Sequence, residues 1–279
     1  MRVLLAVDKF KGSLDSVCAA EALSAGIQSV RAHAEVRIIP VADGGDGTVD
    51  VALTAGFTRI PTNAPGPTGL QLATSYARKG DSVIIELASV CGLQRLPIGR
   101  LEPWKSSTYG LGVLICHAVD HGARTIVVGV GGSASTDGGT GLLQALGARL
   151  NDSSNHPVRS GAIGLGDLCA VDLGPVHERL AGVELVIASD VDNPLLGPNG
   201  AAAAYGPQKG ASWRDVIAMN QLLADWSAAV RSEFGIELST QLSLGRARPE
   251  AQGSVCSWQG LACRPAPICC LISSDTTSC

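Results

Sequence analysis

Four polar segments of this chain each follow directly on an apolar, strand-like run. They are Asp8-Lys9-Phe10-Lys11-Gly12-Ser13-Leu14, Asp43-Gly44-Gly45-Asp46-Gly47-Thr48, Gly129 through Gly139, and Ser189-Asp190-Val191-Asp192-Asn193-Pro194-Leu195. Continuous apolar runs such as Val3 to Val7 and Leu185 to Ala188 read as strands buried on both faces, which is the habit of parallel sheets. In an open α/β sheet the loops at the carboxyl ends of the strands face one crevice. The pattern therefore constrains the chain to an α/β fold in which these four loops converge.

The remaining periodicity fits that class. Ser13 is positioned to cap a helix whose apolar positions are Val17, Ala20, Leu23 and Ile27. Val36 to Pro40 reads as a second strand, and Gly44 to Thr48 as a turn opening a helix. Arg59-Ile60, Gln71 to Tyr76 and Ser82 to Glu86, separated by Gly and Pro turns that include Lys79-Gly80-Asp81, suit antiparallel hairpins. Alternation then resumes with a helix over Thr108 to Asp120, a strand from Thr125 to Val130, a helix from about Asp137 to Leu146, a strand from Leu185 to Ala188 and an amphipathic helix from Trp213 to Phe234.

Composition narrows what such a fold could serve. With 46% hydrophobic and 16% charged residues, the chain has ample material for a core and too little charge for disorder. A net charge of −4 without a basic stripe gives no reason to expect nucleic acid. No apolar run is long enough for a membrane span, and the N-terminus turns charged after one short strand, so a cytoplasmic location without membrane association is expected. Of nine cysteines, Cys18, Cys91, Cys116 and Cys169 are isolated and read as small buried hydrophobes. Oligomeric state is not legible.

The loops offer glycine backbone, clustered aspartates and lysine. Phosphate needs N–H groups that approach closely, which glycine permits. Phosphoryl transfer further needs carboxylates for Mg²⁺, a cation for the transferred group and a base for the acceptor hydroxyl. The P-loop pattern is absent, since Gly206-Pro-Gln-Lys209-Gly210 has the wrong spacing. The competing reading is an NAD(P)-dependent oxidoreductase: Gly129-x-Gly131-x-x-Ala134 matches the relaxed dinucleotide turn, with Asp152 about the right distance on, although Gly138-Gly139 interrupts the helix that turn requires.

Taken in order, the loops closely resemble those of the bacterial-type (type 1) glycerate kinases. The family's Asp-Ser-Phe-Lys-Gly-Ser-Leu is matched by Asp8 to Leu14 with Lys9 in place of Ser, and Pro-Val-Ala-Asp-Gly-Gly-Asp-Gly-Thr stands at Pro40 to Thr48. Ser107 to Gly112 is similar to its Thr-Tyr-Gly-Thr-Gly stretch, and Val130 to Gly139 to its Ile-Gly-Gly-Ser-Ala-Thr-Asn-Asp-Gly-Gly, with Thr136 where Asn is usual. Asp190 to Leu195 and Tyr205 to Gly210 complete a series that covers residues 1 to about 243. The resemblance implies ATP, Mg²⁺ and D-glycerate, with 2-phosphoglycerate expected over 3-phosphoglycerate. On that basis Asp43, Asp190 and Lys11 are the expected catalytic residues. Asp8, Ser13, Gly44, Gly45, Gly131, Gly132, Ser133, Asn193 and Lys209 are expected to bind substrate or nucleotide, and Asp46, Asp137 and Asp192 to hold metal. It also implies two α/β domains: residues 1–60 as the first part of a flavodoxin-like parallel-sheet domain, and 61–244 as a second domain with the hairpins. The first is expected to lack strands supplied by a later part of the chain and so to expose an edge and an apolar face.

Beyond Leu244 the resemblance stops. The family's glycine loop, Gly-Ala-Gly-Ala-Ala-Gly-Gly-x-Gly, is replaced by Gly245-Arg-Ala-Arg-Pro-Glu-Ala-Gln-Gly253. Codons read one base out of register, each beginning on the old third base, spell the family loop when that free base is G. Residues 245–279, which hold Cys256, Cys263, Cys269, Cys270 and Cys279, are accordingly expected to be a frameshifted tail with little structure, and the chain as written to be poorly soluble with little activity. Resequencing the locus checks this: a clean read should recover the glycine loop in frame, and an unbroken frame through residue 279 would contradict it.

Overall fold

A computed structural model describes residues 1–10, 13–42, 44–189, 193–235 and 238, together with two short strands at 254–257 and 263–264. The chain opens with β1 (Arg2–Leu5), α1 (Ser16–Val30) and β2 (Glu35–Ile38), followed by α2 (Thr48–Thr54). Strands β3 (Thr58–Pro65), β4 (Gln71–Lys79) and β5 (Ser82–Glu86) come next, then α3 (Ala88–Cys91), α4 (Tyr109–Asp120), β6 (Thr125–Gly129) and α5 (Thr140–Ala145). After them run β7 (Arg149–Asn151), β8 (Ala170–Asp172), α6 (Gly174–Arg179), β9 (Glu184–Ser189), α7 (Ala201–Tyr205), α8 (Trp213–Phe234), β10 (Ser254–Ser257) and β11 (Cys263–Arg264).

The fold is α/β, as expected. Its main sheet has seven strands in the order β11-β10-β9-β6-β5-β4-β3, with β5, β6 and β9 parallel at the centre and the β3–β4–β5 meander antiparallel. Gly80, at φ 63°, makes the tight β4–β5 turn. The parallel strands are apolar throughout because both faces are covered. Val83, Ile85, Ile126, Val128, Leu185 and Ile187 point to one side, into a core shared with Leu111, Leu114 and Ile115 of α4 and Met219, Leu223 and Trp226 of α8. Ile84, Val127, Val186 and Ala188 alternate to the other side, where Val49 and Ala52 of α2 and Phe57 cover them.

One expectation is corrected here: β1 and β2 form a separate two-stranded parallel sheet backed by α1, and their residues alternate between exposed and half-buried rather than being buried on both faces. Leu4 is 59% and Val30 80% exposed, beside a shallow apolar groove lined by Met1, Ala22, Leu23 and Ile27. Two strands and one helix present too little surface to cover both faces of a strand. The boundary expected at residue 60 falls within β3, and α2 packs on the main sheet. Within the tail expected to have little structure, Ser254–Ser257 pairs antiparallel with β9, whose outer edge offers main-chain groups that an extended segment can meet without periodicity of its own.

Smaller differences have local causes. The side chain that caps α1 belongs to Asp15, accepting from the Cys18 N–H at 2.7 Å, while the Ser13 hydroxyl turns back to the Phe10 carbonyl. Cys91 is buried and Cys116 half-buried, whereas Cys18 is exposed on α1 and Cys169 is exposed in the loop ahead of β8. Among the described residues no helix is long and apolar enough to cross a membrane.

Helix α4 fits because its first turn carries two glycines, Gly110 and Gly112. A Cβ on Gly110 would overlap the Pro65 carbonyl oxygen, and one on Gly112 would lie 2.6 Å from Ala145 Cβ. Gly110→Ala should therefore lower stability by about 1–3 kcal/mol through overpacking, read as a lower urea midpoint with an unchanged slope.

Candidate active site

The parallel strands end level with one another, with Glu86 opposite Gly129 and Gly129 opposite Ala188. Over these ends runs the loop from Gly44 to Gly47. Gly44, at φ 85°, sits where a Cβ would lie 2.9 Å from the Ala188 carbonyl oxygen; a Cβ on Gly129 would overlap the Gly44 carbonyl, and one on Gly131 would be 2.8 Å from Gly45 Cα. The Gly131 N–H donates to the Gly44 carbonyl at 3.2 Å, and Val130 N–H to that of Ala188 at 3.2 Å. The second and third glycine segments are thus in direct main-chain contact above the sheet, at a distance only glycine allows.

Side chains with charge surround that crossing. Asp46 is half-buried, and one carboxylate oxygen accepts from Gln94 Nε2 at 3.2 Å. The same oxygen stands 4.0 Å from the place a Cβ would take on Gly132, an exposed residue at φ 73°. Lys9 Nζ donates to the Asp46 carbonyl, so the residue that stands where the resembled family has Ser ties the first loop to the second. Beneath the loop, Glu86 Oε1 accepts the Val49 N–H of α2. Burial pushes the Glu86 carboxyl up to about 7, Asp50 and Asp46 adding to the rise and the Val49 bond and Lys9 opposing it.

Asp137 occupies a different position from the one expected of a metal ligand. It is 1% exposed, and its Oδ2 accepts from Thr108 N–H (2.8 Å), Thr108 Oγ1 (2.9 Å), Ser107 Oγ (3.3 Å) and Gly141 N–H (3.3 Å), while Oδ1 takes Gly139 N–H (3.2 Å). Those donors come from the residues that open α4 and α5, so the carboxylate ties the starts of the two helices together. Lys209, expected to bind substrate or nucleotide, is buried; its Nζ donates to the Ser135 carbonyl, and burial brings its pKa down to about 8 against the opposing pull of Asp137. It braces the Ser133–Asp137 loop from behind rather than reaching into the cleft. Ser133 Oγ pairs with Ser135 Oγ at 2.9 Å on the half-buried rim of that loop.

Asp8 is exposed and accepts from the Lys9 N–H, Ser13 is exposed, and Asn193 is joined to Asn199 and Tyr205. Lys11, Asp43, Asp190 and Asp192 lie outside the described residues. Among the described residues no three His, Cys, Asp or Glu side chains gather to hold a metal. Mg²⁺ needs only one or two protein carboxylates beside substrate phosphates, and Asp46 facing the open backbone of Gly132 fits that requirement. Sequence reasoning missed Glu86, Gln94 and Lys9 as site residues. Glu86 carried the same signal as the aspartates, a charge ending an apolar strand, but no glycine loop follows it.

The dinucleotide reading fails on this geometry. No helix opens after Gly131; Gly132 and Ser133 instead engage the Gly92–Leu93 segment, and α5 starts only at Thr140. The glycines that a pyrophosphate would need are filled by the chain's own Gly44–Gly45 backbone.

What remains is an α/β protein in which two glycine segments cross above the ends of the parallel strands beside the Asp46 carboxylate. A sequence model of the glycerate kinase family matches residues 3–254, running past Leu244, and the chain belongs to that family. It is 43% identical to a glycerate kinase of Bacillus subtilis over 84% of this chain and 62% of that one, and 34% identical to a glycerate 2-kinase of Escherichia coli over 88% and 66%. A crystal structure from Salmonella typhimurium LT2, provisionally named glycerate kinase 2, superposes with a TM-score of 0.77 at 35% identity, over 87% of this chain and 66% of that one. The chain thus spans just under two thirds of the length of these relatives.

Glu86 gives a pH signature. Its carboxyl rises from 4.5 to about 7 on folding, so its contribution is full below pH 4.5 and is lost as pH rises through 7. Thermal melts from pH 4.5 to 7.5 should show the native protein losing stability relative to Glu86→Gln across that window; parallel curves would contradict the assignment.

Proposed function

We propose that the protein is a glycerate kinase that transfers the γ-phosphoryl group of ATP to D-glycerate in the cytoplasm, giving 2-phosphoglycerate. The observation that carries this reading is the main-chain contact between Gly44–Gly45 and Gly129–Gly131, which sets the Asp46 carboxylate against the open backbone of Gly132. The relatives named glycerate kinase and glycerate 2-kinase support the substrate and the position of transfer.

In this reading Gly131, held by the Gly44 carbonyl, places the Gly132–Ser133 backbone against the phosphates, and Asp46, joined by Asp192, holds the metal. Mg²⁺, when bound, neutralises charge that develops on the transferring group. Lys11 meets a carboxylate or phosphate, Asp43 orients the glycerate hydroxyl, and Asp190 receives its proton. Asp8, Ser13, Gly44, Gly45 and Asn193 complete the walls. Lys9, Gln94 and the buried Asp137–Lys209 pair hold the loops in place without touching reactants.

An assay with ATP, MgCl₂ and D-glycerate, read by ADP release and by ³¹P NMR of the product, tests the proposal. Asp46→Asn should lower kcat/KM by roughly 10²-fold or more, and Asp43→Asn and Asp190→Asn should abolish measurable turnover. Near-normal rates in all three variants would overturn the assignment of the site.

A further inference from the structure

Helix α2 has no cap of its own. Its N-cap residue is Gly47, at φ 93°, which carries no side chain, and the Thr48 hydroxyl turns back to donate to the Gly45 carbonyl at 2.8 Å. The free N–H groups of a first turn need acceptors when buried. Val49 is 3% exposed, and the acceptor for its N–H comes from the sheet below, from Glu86 at the end of β5. Glu86 is itself 8% exposed, and its own carbonyl accepts from Ser89 Oγ at 2.8 Å, which fixes the backbone from which the carboxyl projects. Lys9, Asp46 and Asp50 are the charged groups around it.

We propose that Glu86 is a positioning residue: by capping α2 from the sheet it fixes the height at which the Gly44–Thr48 loop crosses Gly129 and presents Asp46 to the crevice. Two consequences follow. The amino end of α2 is already occupied by a carboxyl group, so it is closed to a phosphate, and anion binding falls to the Gly131–Ser133 side. The Gly44–Thr48 side is then left to the cation and the acceptor. The capping stands on the geometry alone, whereas its effect on turnover rests on the kinase reading.

Glu86→Gln keeps an oxygen acceptor at the same reach, and Glu86→Met removes it at similar volume. Hydrogen exchange of the Val49 amide, measured by NMR at one pH, should be faster by roughly 3- to 10-fold in the Met variant, the size of one net hydrogen bond, and unchanged in the Gln variant. The slowest amides of β5 and β6 serve as the control for global stability. With ATP and D-glycerate, Glu86→Met should lower kcat with little change in the KM for ATP, and Glu86→Gln should restore it. Unchanged Val49 protection in the Met variant would overturn the capping, and a Gln variant as slow as Met would overturn the positioning role in favour of a need for the charge. Should Glu86→Met fail to fold, Glu86→Asp, one methylene too short, provides the same exchange readout. If the native chain shows no turnover, the kinase reading fails on its own, and the exchange data still decide whether Glu86 caps the helix.

Discussion

The architecture of the crevice depends on one contact, the passage of the Gly44–Gly45 backbone across Gly129 and Gly131. Gly44, Gly129 and Gly131 leave no room for a side chain, because a Cβ at any of them would come within 2.9 Å of a carbonyl oxygen or an α-carbon of the facing chain. Closeness at this point brings two segments far apart in sequence, one ahead of α2 and one after β6, to the ends of the same parallel strands. It also keeps the rim free of side chains, so that Asp46 and the half-buried Ser133 flank exposed backbone at Gly132. A site for a multiply charged phosphate needs that combination of approachable amides and a nearby carboxylate.

Three of the helices around this contact start without a side-chain cap: α2 at Gly47, α4 at Thr108 and α5 at Gly139. Two remote carboxyl groups supply the missing acceptors, Glu86 for α2 and Asp137 for both α4 and α5. Buried carboxyl groups are costly unless their oxygens are filled. Their value here is geometric, since each fixes a helix start relative to a strand or to another helix. Asp137 therefore belongs to the frame of the site, and Lys209 with it, although both sit in segments whose composition reads as ligand-binding.

Much of this was legible in the sequence. Gln71–Tyr76 and Ser82–Glu86 read as strands of an antiparallel hairpin, which β4 and β5 form, although the parallel pairing of β5 with β6 is not legible there, and the amphipathic period places α8 over Trp213–Phe234. The glycine segments were recognised, and so was their convergence at the strand ends. The direction each polar residue faces was not legible. Asp46 and Asp137 both lie in glycine-rich loops after strands, yet one faces the crevice and the other is consumed by five donors from α4 and α5, a difference set by tertiary contacts that no local pattern encodes. Glu86 was missed for the complementary reason: its partner, Val49, is distant in sequence, and the need for it arises only because Gly47 cannot cap. The exposure of β1 likewise depends on how many strands lie beside it, which an apolar run does not state.

The central claim is that the glycine crossing creates a place where a metal-bound nucleotide sits against Asp46. Amide NMR spectra recorded during titration with Mg²⁺ and a non-hydrolysable ATP analogue test it most directly. Saturable shifts centred on Gly131, Gly132, Ser133 and Asp46, weakened when Mg²⁺ is withheld, are the predicted result. Saturable binding that leaves those four amides unmoved would contradict the account.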